Sequence, residues 1–164
     1  MFAVRFKQKI MIEKGLAKRL VVEYQGYVGN VNFVERDINI DYKGNNVFVG
    51  LRRAGKSFLL FQSIHKMLKL GHSLEEILFF NFEDDRIGEL TVNDLDIIKL
   101  AYEEIYATKP IFFLDEIQLV DHWEKFARRL VDTGYQVFIT GSNAKMLSSE
   151  IATTLGGRFH ITEV

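Results

Sequence analysis

Residues 50–57 read Gly-Leu-Arg-Arg-Ala-Gly-Lys-Ser, an unbroken match to the phosphate-binding pattern G-x-x-x-x-G-K-[ST], the Walker A motif. In such a loop the glycines let successive backbone N–H groups surround a phosphate, and the following helix adds the positive end of its dipole. We expect Lys56 to reach the β- and γ-phosphates and the Ser57 hydroxyl to bind Mg²⁺. The predicted nucleotide-binding residues are Gly50, Arg53, Ala54, Gly55, Lys56, Ser57 and Phe58.

Two carboxylates, Asp115 and Glu116, follow the apolar run 111–114. Four apolar residues without alternation predict a fully buried strand, and open α/β sheets bind ligands at the C-terminal ends of such strands. We expect Asp115 to bind Mg²⁺ through its water shell and Glu116 to orient and deprotonate an attacking water. The pair favours hydrolysis over binding alone, although Glu116 could instead be a solvated charge at a strand end.

A second acidic cluster follows the apolar run 77–82, and residues 85–88 match the short D-x-x-G pattern of GTPases. The guanine-binding N-K-x-D pattern is absent, since the nearest match at 143–145 has the wrong spacing. Adenine is therefore predicted rather than guanine. Asn81, on the neighbouring strand, has two interpretations: an amide that hydrogen-bonds Glu116 and holds it away from water, or an ordinary polar residue at a strand end.

The elements that must position these residues are visible as apolar patterns. Helical spacing over 57–70 predicts an amphipathic helix that ends at Gly71. The pairs Thr91 with Asp94 and Asp121 with Glu124 predict capped starts of two further helices. Buried strands are predicted at 47–49, 77–82, 111–114 and 137–139, with a fifth strand closed by Val164. This alternation predicts an α/β fold.

Several of these motifs together resemble the predicted AAA-superfamily ATPases of archaea and bacteria, over roughly residues 36–164. They are the two-arginine loop, Asn81, Leu-Asp-Glu-Ile-Gln at 114–118, Trp123, Gly134, Thr-Gly-Ser-Asn at 140–143 and Leu-Gly-Gly-Arg at 155–158. The resemblance implies a three-layer P-loop NTPase fold with a mostly parallel five-stranded sheet. In that fold, the strand that bears Asn143 lies between the Walker A strand and the Asp115 strand.

The resemblance also implies roles for Asn143 as a sensor of the γ-phosphate and for Arg158 as a charge-stabilising arginine, in addition to catalytic Glu116. Each has an alternative interpretation from the residues alone. Asn143, like Ser142, could cap the helix that starts there. Arg158 could be a solvated or structural arginine.

Residues 1–35 belong to none of these motifs, and we predict that they form an N-terminal helical arm of unknown role. Its helix is expected over 7–24, with a break at 26–32. Residues 36–164 are predicted to be the ATPase domain, truncated before the lid or C-terminal domain that the resembled family usually carries. That second domain is often likened to a nuclease or a DNA-binding module.

The composition of the 164 residues, with 48% hydrophobic residues and a formal net charge of −1, fits one ordinary domain. Without a basic excess, nucleic acid is expected as a partner only through the missing C-terminal domain. The lack of cysteine excludes disulfides and thiolate metal sites. Because no apolar run could span a bilayer, we expect a cytoplasmic protein without membrane contact. A second copy of the chain or another protein is expected as a further partner.

Three functions are compatible with these residues, with ATP and Mg²⁺ as the cofactors. The first is an ATPase whose hydrolysis drives a conformational change in a partner or in the missing domain. The second is a nucleotide-gated interaction module with little turnover, and the third is a P-loop small-molecule kinase. Glu116 favours the first, because a kinase uses an acceptor hydroxyl instead of a water.

Overall fold

The computed structural model describes residues 11–142, 146 and 148–164, without the side chains of residues 149 and 150. Five strands form one sheet in the order β2-β3-β4-β1-β5, and every neighbouring pair is parallel. The predicted five-stranded sheet is confirmed, as is the placement of β4 between β1 and β3. The strands are β1 (Asn45–Gly50), β2 (Ile77–Asn81), β3 (Ile111–Asp115), β4 (Val137–Ser142) and β5 (Phe159–Glu163).

Helices cover the sheet in a three-layer arrangement. In it α1 packs on α3 and β2, α2 packs on β1 and β4, and α4 packs on α5 and β4. Within the described part of the chain, none of the helices combines the length and the hydrophobicity that a membrane span requires. The helices are α1 (Lys14–Asn30), α2 (Lys56–Lys69), α3 (Val92–Ile105), α4 (Trp123–Asp132) and α5 (Ser149–Leu155), with 3₁₀ turns at Leu74–Glu76 and Ile117–Leu119.

Aromatic side chains fill the centre of the sheet. Phe113 of β3 and Phe138 of β4 are register partners, and their rings stack with centroids 4.7 Å apart. Both are fully buried, as are Phe48 of β1 and Phe80 of β2. Burial on both faces explains why these strands show unbroken apolar runs, and their parallel direction brings the polar residues that end them to one edge of the sheet.

The predicted bounds of α1 were wrong. The helix runs through Gly26 and Gly29, where a break was expected. Glycine in a helix costs about 1 kcal/mol relative to alanine. Here the buried side chains of Tyr24 and Val28 continue the apolar face across the glycines, so tertiary packing outweighs that cost. The described part of the predicted arm is therefore built into the common core.

The two predicted helix starts differ in outcome. Thr91 and Asp94 form the predicted capping box, and Asp94 also accepts a hydrogen bond from the Ile12 N–H at 2.7 Å. The box predicted from Asp121 and Glu124 does not form. Instead α4 starts at Trp123 after a left-handed His122 with φ 63°, and no side chain caps it. The turn at His122 displaces the helix start past Asp121.

Candidate nucleotide-binding site

The loop between β1 and α2 needs its two motif glycines for different reasons. A Cβ on Gly50 would lie 2.8 Å from the carbonyl oxygen of Val164, so only glycine permits this close approach of the chain. Gly55 has φ 87°, in the left-handed region that favours glycine, and it is the N-cap of α2. Arg53 also has a positive φ, of 64°, and its side chain is exposed. Ala54 is partly buried, and its N–H donates to the Leu51 carbonyl at 3.1 Å.

Lys56 points back into the loop. The residue is 4% exposed, and its Nζ donates to the Leu51 carbonyl at 3.0 Å. The same Nζ lies 3.3 Å from Oε1 of Glu116. By contrast, Phe58 is 44% exposed and meets Phe61 of the same helix edge-to-face. A buried ammonium group thus lies in the loop, and it faces a carboxylate.

Asp115 ends β3 with both carboxylate oxygens engaged. Ser57 Oγ donates to Oδ2 at 2.8 Å, and Thr140 Oγ1 donates to Oδ1 at 2.5 Å. Burial raises the pKa of Asp115 to about 6, while the two hydroxyl hydrogen bonds act against the rise and the nearby Glu116 carboxylate adds to it. Two hydroxyls therefore hold the carboxylate in place.

Glu116 is fixed from three sides. Its N–H donates to Thr140 Oγ1 at 2.9 Å, its Oε2 accepts from Gln118 Nε2 at 2.5 Å, and its Oε1 faces Lys56. The backbone of Glu116 is left-handed with φ 56°, a conformation that costs a non-glycine residue about 1–3 kcal/mol. The strain is offset by these contacts, which hold the carboxylate beside the loop.

Two members of this cluster were missed from the sequence. Thr140 is a polar residue at the C-terminal end of an apolar strand, which is the signal that could have found it. Gln118 follows the carboxylate pair by two residues and is 9% exposed. Its Oε1 is buried and has no hydrogen-bond partner within the described residues. A Cβ on Gly141 would lie 2.6 Å from that oxygen, so glycine in β4 makes room for the amide.

The first interpretation of Asn81 was wrong for this structure. Asn81 is the register partner of Asp115, but its Oδ1 accepts from the Glu83 N–H at 3.0 Å. The amide that contacts Glu116 is that of Gln118. Asn81 instead closes a turn after β2, because its side chain accepts from the N–H two residues further on.

The acidic cluster after β2 takes part in a structural network instead of binding phosphate. Asp84 accepts hydrogen bonds from Tyr24 Oη at 2.6 Å and from Arg86 Nε at 2.9 Å, and Arg86 continues to Glu23 of α1. The guanidinium of Arg86 holds the pKa of Asp84 well below its usual range. This network joins the loop to α1.

The two other predicted catalytic residues, Asn143 and Arg158, differ in what the structure describes. Asn143 lies outside the described residues. Arg158 donates from Nε to Asp132 Oδ1 at 2.8 Å, and its carbonyl accepts from Asn45 Nδ2 at 3.3 Å. Because Asn45 starts β1 whereas the loop follows its end, Arg158 lies at the opposite edge of the sheet. Its interpretation as a structural arginine fits this position, and its role as a charge-stabilising arginine stays a prediction.

The cluster supplies the oxygen ligands that Mg²⁺ prefers, namely a hydroxyl and a carboxylate. Within the described ranges, no group of three or more acidic or histidine side chains is arranged to hold a metal. In the cluster, Ser57 and Asp115 are side chains that could hold such an ion, and the remaining ligands would come from phosphate and water. That set fits a metal that binds together with a nucleotide.

Comparison with known proteins gives a consistent result. A family model described as "AAA domain" matches residues 43–164. An uncharacterized protein of Methanocaldococcus jannaschii is 41% identical over 160 residues, which cover 96% of this chain and 34% of that protein. An uncharacterized protein of Haemophilus influenzae is 39% identical over 116 residues, covering 69% of this chain and 29% of that protein. The chain thus spans about a third of the length of these curated relatives.

Among solved structures, a DNA polymerase III gamma subunit-related protein of Thermotoga maritima superposes with a TM-score of 0.51 at 10% identity. The match covers 88% of this chain and 45% of the other. At this level of identity the likeness concerns the fold alone.

Proposed function

Because the chain belongs to the AAA family of P-loop NTPases, we propose that the loop 50–58 binds ATP and that Glu116 promotes its Mg²⁺-dependent hydrolysis. One observation carries this proposal. Lys56 Nζ, Ser57 Oγ and the carboxylates of Asp115 and Glu116 converge beside the N-terminus of α2, with Lys56 3.3 Å from Glu116 and Ser57 2.8 Å from Asp115. An ammonium, a hydroxyl and a helix N-terminus together favour a polyphosphate.

Ser57 and Asp115 would hold the metal, and bound Mg²⁺ would neutralise charge on the β- and γ-phosphates. The hydroxyl–carboxylate contact supports this assignment, since both groups face each other across the strand end. Burial disfavours the charged form of Asp115, and a cation would reverse that effect.

Glu116 would be free to act on a water once the Lys56 ammonium binds a phosphate. A bound phosphate offers Lys56 a stronger partner than the Leu51 carbonyl, and Glu116 then keeps its contacts with Gln118 and Thr140. Its carboxylate, 15% exposed, would accept a proton from the attacking water. We propose that the resulting change is transmitted to a partner or to a further domain of a longer protein.

The first experiment is calorimetric titration of ATP and GTP, each with and without Mg²⁺, into the wild-type chain and Lys56→Ala. We expect Mg²⁺-dependent binding that prefers ATP and is lost in the variant. No binding of ATP to the wild-type chain would contradict the proposal.

The second experiment measures phosphate release by Glu116→Gln. The proposal predicts a rate about 10²-fold or more below wild type with ATP binding retained, because the amide cannot accept the proton. Glu103→Gln, an exposed carboxylate of α3 that pairs with Lys99, is the matched control and should retain the wild-type rate. Equal, low rates in all three proteins would instead favour a nucleotide-gated interaction module.

A further inference from the structure

The segment between α1 and β1 carries Arg36 to the phosphate loop. Its backbone is fixed on α2 by a reciprocal pair of hydrogen bonds with Gln62. The Arg36 N–H donates to Gln62 Oε1 at 2.9 Å, and Gln62 Nε2 donates to the Arg36 carbonyl at 3.0 Å. Gln62 is 5% exposed, so the anchor is part of the packed helix surface. The backbone position of Arg36 is therefore set independently of its own side chain.

The guanidinium of Arg36 lies against Gly55, the last glycine of the loop. A Cβ built on Gly55 would lie 2.6 Å from Nη2, 3.1 Å from Cζ and 3.5 Å from Nη1. The guanidinium thus lies beside the residue that caps α2, with Nη2 nearest. This gives Gly55 a second reason to lack a side chain, besides its positive φ.

The electrostatics of this position are unfavourable without an anion. A cation at a helix N-terminus is disfavoured by the helix dipole, and the Lys56 ammonium is the next residue. Within the described residues, no carboxylate or carbonyl accepts a hydrogen bond from the Arg36 guanidinium. By contrast, four other arginines each pair with a carboxylate: Arg86, Arg128, Arg129 and Arg158.

We infer that Arg36 is a nucleotide-binding residue whose guanidinium contacts phosphate oxygens of the bound nucleotide. The inference rests on the proposed function. A guanidinium presents its donors in a planar fork that suits phosphate, and that of Arg36 lies against the last glycine of the loop. Arg36 lies in the segment before β1 and outside residues 43–164, which match the family model. The segment before β1 would therefore contribute this phosphate contact.

Calorimetry of Arg36→Ala with two ligands, Mg²⁺-ATP and inorganic tripolyphosphate with Mg²⁺, tests the inference. Both ligands should bind about 10- to 100-fold more weakly, as expected for the loss of charged hydrogen bonds. Arg36→Lys should recover part of the loss, since it keeps the charge without the fork. Arg19 is an exposed arginine of α1 that lies next to Ile105, the last residue of α3. As the control, Arg19→Ala should bind both ligands as wild type does.

Two outcomes would overturn the inference. One is wild-type affinity of Arg36→Ala for both ligands while Lys56→Ala has lost binding. The other is weaker binding of ATP with unchanged binding of tripolyphosphate, which would place Arg36 on the base. A wild-type chain that binds no ATP would instead refute the proposed function. Thermal unfolding of Arg36→Ala should match wild type, because the side chain is exposed and Gln62 holds only the backbone.

Discussion

Thr140 joins the two carboxylates of the candidate site through one hydroxyl. Its hydroxyl donates a hydrogen bond to Asp115 and accepts one from the N–H of Glu116. A change in the position of either acid therefore affects the contacts of the other. Removal of this donor would leave Asp115 with Ser57 as its remaining hydroxyl partner. The geometry of the site therefore depends on a strand that carries neither of the two motifs.

Burial of Asp115 gives the protein without nucleotide a pH-dependent cost. The pKa is raised from 3.8 to about 6, so between these values the folded state binds more protons than the unfolded state. The free energy of unfolding therefore falls as pH rises across this window, and the loss is complete above about pH 6. A shift of about two units corresponds to roughly 3 kcal/mol.

Asp115→Asn removes that cost but gives up one hydroxyl hydrogen bond, worth about 1 kcal/mol. We expect the variant to be about 1–2 kcal/mol more stable than wild type near pH 7.5, with no gain near pH 4. Urea unfolding at both pH values, with a chelator present, measures this. Asp132→Asn is the control without a gain at neutral pH, because Arg158 holds the pKa of Asp132 below its usual value. A variant less stable than wild type at both pH values would contradict the expectation.

The motif residues could be predicted from the sequence because each lies at a fixed distance from a strand end. Lys56, Ser57, Asp115 and Glu116 come together as soon as their strands share one edge of the sheet. The partners of these residues could not be predicted, since contacts of Gln118, Thr140 and Arg36 depend on which strands are neighbours and on side-chain conformation. For the same reason one of the two interpretations of Asn81 gave it the contact that Gln118 makes.

At the scale of elements, the strands were predicted with more success than the helix ends. Unbroken apolar runs such as Ile111–Leu114 have few interpretations, and their neighbours in the sheet bury both faces. The end of α1 depends instead on contacts that are distant in sequence. Gln25, for example, donates from Nε2 to the carbonyl of Ile77 at 2.9 Å and is buried against β2. The glycines in the local sequence therefore do not predict where α1 ends.

The continuity of α1 through its glycines yields a stability prediction. Gly26 is exposed and has a helical backbone, and a Cβ there would meet no heavy atom of the described residues within 4 Å. Gly26→Ala should raise the free energy of unfolding by about 0.5–1 kcal/mol. Gly29→Ala is the matched comparison, because its Cβ would lie 3.2 Å from Leu74 Cδ2, and it should gain less. Denaturant midpoints of the two variants would refute the prediction if Gly29→Ala gained more than Gly26→Ala.

At the scale of the whole molecule, the family resemblance drawn from the motifs is confirmed, and the site joins most of the sheet. Its residues come from the ends of β1, β3 and β4 and from the start of α2. A ligand that binds these elements in the folded state but not in the unfolded chain must stabilise the fold as a unit.

We therefore expect Mg²⁺-ATP at about 100 times its dissociation constant to stabilise the chain by about 2.7 kcal/mol, or roughly 5–10 °C in Tm for a domain of this size. Lys56→Ala should show no shift at the same concentration. Differential scanning fluorimetry over an ATP series makes the measurement. A shift of equal size in Lys56→Ala would mean that ATP acts elsewhere on the chain.

The position of β4 between β1 and β3 has a consequence for the order of events during synthesis. The strands that carry the loop and the two carboxylates are not neighbours in the sheet, and β4 joins them by pairing with both. A nascent chain that has reached residue 120 holds every residue of both motifs but lacks the strand that joins them. We therefore expect that nucleotide does not guide the early stages of folding, and that the chain acquires its site only after Ser142 has been added, when β4 pairs with strands that are distant in sequence.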